Sequence, residues 1–227
     1  MRYSLFLLFG WLFFACSESE VPTDTDRIGL NYFPLEVGQY RIYDVVETNY
    51  SVLGSTSAIY ELKESIEDSN LNASNNLQYI VHRSTRQNDT EAWHLDSIWT
   101  SQKTNSIAVL TENNVPFVKL SFPIKHLLEW DGNRLNALSS EIYWYNTELP
   151  DTTLSETLYQ NIVKVIQNDS GEDFLGLENR SETFAPDAGL IIKESTILKY
   201  CQTDCMEERE VQSGRELMMT LKAYGKE

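Results

Sequence analysis

Tyr159-Gln160-Asn161-Ile162-Val163-Lys164-Val165-Ile166 is the stretch on which the fold class turns. Apolar and polar residues alternate along it in mixed phase, which suits a strand with apolar contacts on both faces. The competing reading is a helix over Leu154–Ile166. The β-branched crowding of Ile162, Val163, Val165 and Ile166 lowers helix propensity and favours the strand. Working outward, runs rich in Val, Ile, Thr, Tyr and Trp recur between Asn, Asp, Gly and Ser clusters at the spacing of a meander. Predicted strands are Gln39–Thr48, Ser57–Glu67, Leu77–Arg86, Thr90–Gln102, Ser106–Glu112, Pro116–Phe122, Glu141–Thr147, Leu158–Gln167, Asn179–Phe184, Leu190–Tyr200 and Glu216–Tyr224. One short helix is expected near Ile124–Glu129. The fold class is therefore mainly β, an antiparallel meander forming a curved half-barrel, a barrel or a sandwich, with at most one or two short helices. The pattern alone leaves those three architectures open.

The chain has 227 residues, 41% of them hydrophobic and 11% aromatic, enough for one packed domain and too ordered in composition for a disordered or collagen-like chain. Lys and Arg number 18 against 34 Asp and Glu, a formal charge of −16. Nucleic acid is excluded as a partner on this ground, because phosphate neutralisation needs clustered cations and no run of four basic residues occurs. The same charge disfavours adhesion to anionic lipid. Any membrane attachment has to come from elsewhere.

The amino terminus supplies it. Arg2, the apolar stretch Leu5 to Phe14, and the small Ala15 before Cys16 read as an export signal. The uncharged run from Tyr3 to Ala15 is shorter than the roughly 20 residues a spanning helix needs. Phe13-Phe14-Ala15-Cys16 resembles the lipobox of bacterial lipoproteins. That resemblance implies a signal peptide over 1–15, an acylated Cys16, and acyl chains such as palmitate that hold the protein on a bilayer at about 0.8 kcal/mol per buried methylene. Ser17, in place of an Asp, implies the outer membrane, with the domain on its periplasmic or cell-surface face. Residues 17–27 lack apolar periodicity and contain Pro22, so 16–27 reads as acylated Cys and flexible tether, spanning roughly 18 Å as coil. Residues 28–227 form the single β-rich domain.

Three motifs resemble an uncharacterised family of Bacteroidota lipoproteins. Asn31-Tyr32-Phe33-Pro34-Leu35-Glu36-Val37-Gly38 is similar to its opening, Phe122-Pro123-Ile124 with Glu129-Trp130-Asp131-Gly132-Asn133 to its central Pro lead-in and Trp-x-Gly-Asn turn, and Gly189-Leu190-Ile191-Ile192-Lys193-Glu194 to its third element. The resemblance implies location and a β fold but no reaction. Physically, Pro34 and Pro123 suit strand entrances, and Gly38, Gly132 and Gly189 suit backbone with φ > 0.

Candidate chemistry is sparse. His82 and His94 face each other if Gln87-Asn88-Asp89 is a three-residue hairpin loop, which would give half a metal site; a four-residue loop puts them on opposite faces. Trp93 and Trp99 share a strand face and, with Trp130, are the candidate ligand-stacking residues; core packing is the simpler use of all three. Cys201 and Cys205 are the even pair left once Cys16 carries lipid, so a disulfide is expected, with Cu(I) ligation aided by Met206 or a redox dithiol as rivals. Nucleotide, hydrolase and metalloprotease motifs are absent from the sequence, and no cofactor is called for. The expected function is a non-catalytic envelope lipoprotein binding an envelope protein, a glycan or a hydrophobic ligand. The alternatives are a hydrolytic enzyme with a non-motif site, for instance around His94 or His126, and a structural accessory of outer-membrane assembly. Replacement of Cys16 by Ser is expected to abolish incorporation of a clickable palmitate analogue and to move the protein from the membrane to the soluble fraction; persistent labelling would refute lipidation.

Overall fold

The computed structural model describes residues 25–202 and 209–227. The expected signal peptide over 1–15 and Cys16 lie outside them. Strands follow in chain order as β1 (Gln39–Ser51), β2 (Gly54–Leu71), β3 (Leu77–Arg86), β4 (His94–Lys103), β5 (Ile107–Glu112), β6 (Val115–Ser121) and β7 (Glu129–Asp131). They continue as β8 (Ile142–Asn146), β9 (Thr152–Leu154), β10 (Thr157–Tyr159), β11 (Val163–Glu172), β12 (Gly176–Ala185), β13 (Gly189–Tyr200) and β14 (Val211–Lys226). Twelve of them make one antiparallel sheet in the order β6-β5-β4-β3-β2-β1-β14-β13-β12-β11-β8-β7, while β9 and β10 form a separate hairpin. The meander is joined to itself where the first long strand pairs with the last, from Gln39 opposite Lys226 to Tyr50 opposite Gly214.

Bulges between Ile42 and Tyr43, Ile66 and Asp68, and Thr183 and Phe184 bend the long strands. The sheet curls into a nearly closed barrel, and this settles the choice among the three architectures. The two free edges, β6 and β7, meet at a seam held mostly by side chains. Val118 N–H donates to Gly132 O at 2.9 Å, and the Trp130 indole N–H donates to Val118 O at 2.9 Å. Ser121 N–H donates to the Tyr145 hydroxyl at 2.9 Å, which itself donates to Ser121 O at 3.0 Å. Asn136 Nδ2 donates to the carbonyl of Pro116, a residue that has no N–H to leave unpaired on an edge. Trp130 packs against Tyr145 at 4.5 Å between centroids and meets Tyr143 edge-on at 6.1 Å. Val118, Lys119 and Leu120 are consecutively buried, so β6 is covered on both faces.

Several local expectations are corrected. The predicted strand Leu158–Gln167 is two strands, because Asn161 adopts a left-handed φ of 52° and breaks it after β10. Ile124–Glu129 is not helical: Leu127 N–H donates to Tyr145 O and Tyr145 N–H to Leu128 O, drawing the segment into the sheet. The helical turns lie instead at Thr25–Ile28, across the boundary expected between tether and domain, and at Leu30–Tyr32. Pro123 follows β6 rather than opening a strand. Gly132 has no positive φ; a Cβ there would stand 2.3 Å from the Tyr143 ring, so the turn needs the space.

The segment 30–35 plugs one end of the barrel. Lys103 Nζ donates to Leu30 O at 2.9 Å and Phe33 O at 2.7 Å, and the Arg41 guanidinium donates to Pro34 O at 3.1 Å and Ala188 O at 2.6 Å. Gly189, with φ 81°, leaves room for that guanidinium, which would be 2.9 Å from an added Cβ. Tyr145→Phe leaves the Ser121 N–H and C=O without partners and is expected to cost about 1–3 kcal/mol. Chemical denaturation checks the loss, and faster amide exchange at Val118 and Ser121 localises it to the seam.

Candidate functional site

Inward-facing rows across the sheet converge on a cavity of about 70 Å³. Arg41, Glu64 and Arg83 are successive partners across β1, β2 and β3. Ile66, Val81 and Trp99 continue across β2, β3 and β4, and Glu182, Lys193 and Met219 across β12, β13 and β14. Lys119 closes the circle from β6, and Phe33, Pro34 and Leu35 of the plug form part of the wall. Period-two alternation explains why each strand contributes one or two side chains to this interior.

Two charged groupings occupy the wall. The Arg83 guanidinium lies 3.8 Å over the Trp99 ring, and its Nε donates to Glu64 Oε1 at 3.0 Å. Deeper, Lys119 Nζ contacts Glu182 Oε1 at 2.5 Å and Glu112 Oε1 at 3.1 Å, and Lys193 Nζ contacts the same Glu182 oxygen at 3.2 Å. Glu182 is fully buried, and its other oxygen, Oε2, has no hydrogen-bond partner. Burial alone would raise the Glu112 carboxyl; the Lys119 and Lys193 ammoniums overcome this and hold it at about 2. Burial opposes ionisation of Glu182 too, and the same two lysines keep its carboxyl below the ordinary range. Lys119, disfavoured as a cation by burial, is held above its ordinary value by Glu182 and Glu112.

The residues singled out in the sequence are dispersed. Trp99 lines the cavity under Arg83, whereas Trp93 precedes β4 with the Arg86 guanidinium 4.3 Å from its ring, and Trp130 is buried in the seam. His82 pairs with Ile98 and His94 with Thr85, so the β3–β4 turn is longer than either loop considered and the two imidazoles are not cross-strand partners. His126 lies before β7, where its Nδ1 accepts from Thr147 N–H at 3.4 Å. None of the three histidines lines the cavity. Among the described residues no three His, Cys, Asp or Glu groups are arranged to hold a metal. Cys201 is buried and disulfide-bonded, and Cys205 lies outside the described residues.

Sequence reasoning missed Lys119, Glu182, Glu64, Arg83 and Lys193. The available signal was Phe117-Val118-Lys119-Leu120, a cation set inside an apolar strand, which demands a buried counter-charge.

No protein-family model matches the sequence. No curated protein matches it either. Two solved structures are similar in shape. One is a protein of Bacteroides fragilis described as exported, with a YmcC-like fold, at TM-score 0.47 and 10% identity over 86% of this chain and 98% of that one. The other is from Parabacteroides distasonis, described as a lipoprotein, at TM-score 0.42 and 11% identity over 86% and 98% of the respective chains.

Lys119→Met leaves the buried Glu182 with Lys193 alone and removes the partner of the part-buried Glu112, and is expected to cost about 3–5 kcal/mol, while the double variant K119M/E182M, which removes both members of the buried pair, costs less. The carboxyls have folded pKa values below the ordinary 4.5, so their stabilisation is present above 4.5 and is lost as pH falls toward about 2. Lys119 lies above its ordinary 10.5, so its contribution is complete below 10.5 and is lost as pH rises further. Calorimetric Tm across that range should therefore fall at both ends, with shallower slopes in K119M/E182M; identical slopes would refute the assignment.

Proposed function

We propose that this protein is a non-catalytic binding protein, tethered through Cys16 to the outer membrane of a bacterial envelope, that holds a small and largely apolar ligand inside its barrel. The observation that carries the binding reading is the enclosed space of about 70 Å³ itself, where an apolar surface of Phe33, Ile66, Val81, Trp99, Phe184 and Met219 is interrupted by the Arg83–Glu64 and Lys119–Glu182–Lys193 groupings. A mostly apolar lining with a few fixed polar groups is the composition of a small-molecule site. Support for the tether comes from the Arg2 start, the apolar stretch and Phe13-Phe14-Ala15-Cys16.

A second reading, assembly with a neighbour, draws on the opposite end of the barrel from the plug. The β1–β2 and β11–β12 turns both lie there, since Tyr50 pairs with Gly214 and Gly176 with Lys199. They carry Leu53 at 95% and Phe174 at 72% exposure.

The test of the binding reading is xenon, an apolar probe small enough for the cavity. Titration is expected to shift the methyl resonances of Val81, Ile66 and Met219 saturably, and Leu110→Phe, which adds bulk to the wall, is expected to weaken the effect several-fold. Methyl shifts that are absent, or that are unaltered by L110F, would overturn it.

A further inference from the structure

Resting on the reading of the barrel interior as a ligand site, we infer that the cavity takes a short aliphatic carboxylate, seated on the Arg41 guanidinium at the plug end with its tail against Leu35, Ile66 and Val81. The charges of the wall point this way. Arg41, Arg83, Lys119 and Lys193 line the cavity against two carboxylates, Glu64 and Glu182, in a chain whose acidic residues outnumber its basic ones 34 to 18. Each carboxylate is engaged by another cation. Glu64 Oε1 accepts from Arg83 Nε at 3.0 Å, Glu182 Oε1 lies 2.5 Å from Lys119 Nζ and 3.2 Å from Lys193 Nζ, and Glu112, beside the wall, is held by Lys119 at 3.1 Å. Arg41 is the cation left over. It is the cross-strand neighbour of Glu64, yet Glu64 pairs with Arg83 on the other side.

The Arg41 guanidinium commits two of its five N–H donors to neutral carbonyls, Nε to Ala188 O at 2.6 Å and Nη2 to Pro34 O at 3.1 Å, and it makes no ion pair among the described residues. It is not sealed: Arg41 keeps part of its surface accessible and lines the cavity. Lys103 adds a second such cation. Its ammonium donates to Phe33 O, the carbonyl before the one Arg41 holds, and it too has no ion pair among the described residues. Burial first, and then the Arg41 charge, lower the Lys103 pKa. A carboxylate would supply the missing charge and match the planar fork of a guanidinium, through charge-assisted bonds about twice as strong as neutral ones. An alcohol would leave the charge unopposed, and an ammonium would meet Arg41 with both wall carboxylates already engaged. Leu35 packs against the cluster of Ile66, Val81 and Trp99, which gives the tail an apolar bed beside the plug. The space of about 70 Å³, roughly two waters' share of liquid volume, limits that tail to about two carbons.

The experiment titrates the intact chain with propionate, 1-propanol and propylammonium, which share a chain length and differ in the polar end, while following the Ile66 and Val81 methyl resonances and the Arg41 Nε resonance. Propionate is expected to bind at least about tenfold more tightly than either of the others, the discrimination of one hydrogen bond to a charged group. It should also move the Arg41 Nε resonance over the same concentration range as the methyls. In Arg41→Met, with a cooperative thermal transition reporting that it is folded, the preference should shrink to within about twofold. Arg41→Lys, which keeps the charge but loses the fork, should retain only part of it. Should Arg41→Met not fold, the Arg41 Nε resonance of the parent protein decides the matter. Equal affinities in the parent protein, a propionate titration that leaves the Arg41 Nε resonance in place, or a preference unaltered in Arg41→Met would overturn the inference. A xenon shift without any propionate preference removes this inference alone, whereas the absence of a xenon shift removes the binding reading beneath it.

Discussion

A sheet edge that has no further strand to pair with must still satisfy its backbone N–H and C=O groups, and in this protein that requirement is met at the junction of β6 with β7 and β8. A continuous ladder is not formed there. Trp130, Tyr145 and Asn136 supply donors and acceptors to Val118, Ser121 and Pro116 in its place. Because the seam partners are large aromatics, closure also creates the packed layer in which Val118, Leu120, Tyr143, Tyr145, Val163 and Val165 are buried together. The barrel and the larger part of its core therefore share one cause.

Closure also fixes the chemistry of the interior. Once β6 is covered on both faces, Lys119 has water on neither side, and an isolated ammonium there would cost several kcal/mol. Glu182, on a strand distant from β6 in the sheet order, meets it across the barrel, and Glu112 and Lys193 complete the cluster. A pair of this kind adds little net stability compared with apolar residues of the same volume. What it does here is tie one edge of the sheet to the opposite wall.

The plug shows how the opening motif is used. Tyr32-Phe33-Pro34-Leu35 enters as backbone, through carbonyls taken by Lys103 and Arg41, and as apolar surface, through Phe33 tilted at 6.5 Å from Phe184. The Arg41 clamp reaches the turn before β13 as well, which joins the first of the three motifs to the third. The Trp130 turn stands apart from both, at the seam. Three stretches that read separately as turn and strand signals are thus the two closures of one barrel, its end and its side.

Alternation, β-branched runs and turn residues determined the strands, and Leu77–Arg86 coincides with its observed bounds because Asn and Gln-Asn turns punctuate it on both sides. Those signals are local, carried by residues that touch their own chain neighbours. Short segments such as β7 and β9 escaped, since three residues give no period to detect. The left-handed Asn161 that divides β10 from β11 was equally invisible, because its carbonyl is fixed by the distant Tyr32 hydroxyl. The β3–β4 register, on which the pairing of His82 and His94 depended, was decided by a connection that runs from Arg86 to His94, longer than a tight hairpin loop. The sequence by itself determined an antiparallel sheet built as a meander. Only the tertiary structure decided that the sheet closes and that Lys119, Glu182 and Lys193 share one interior, because curvature and the meeting of edges arise from contacts between residues far apart along the chain, for which no local pattern exists.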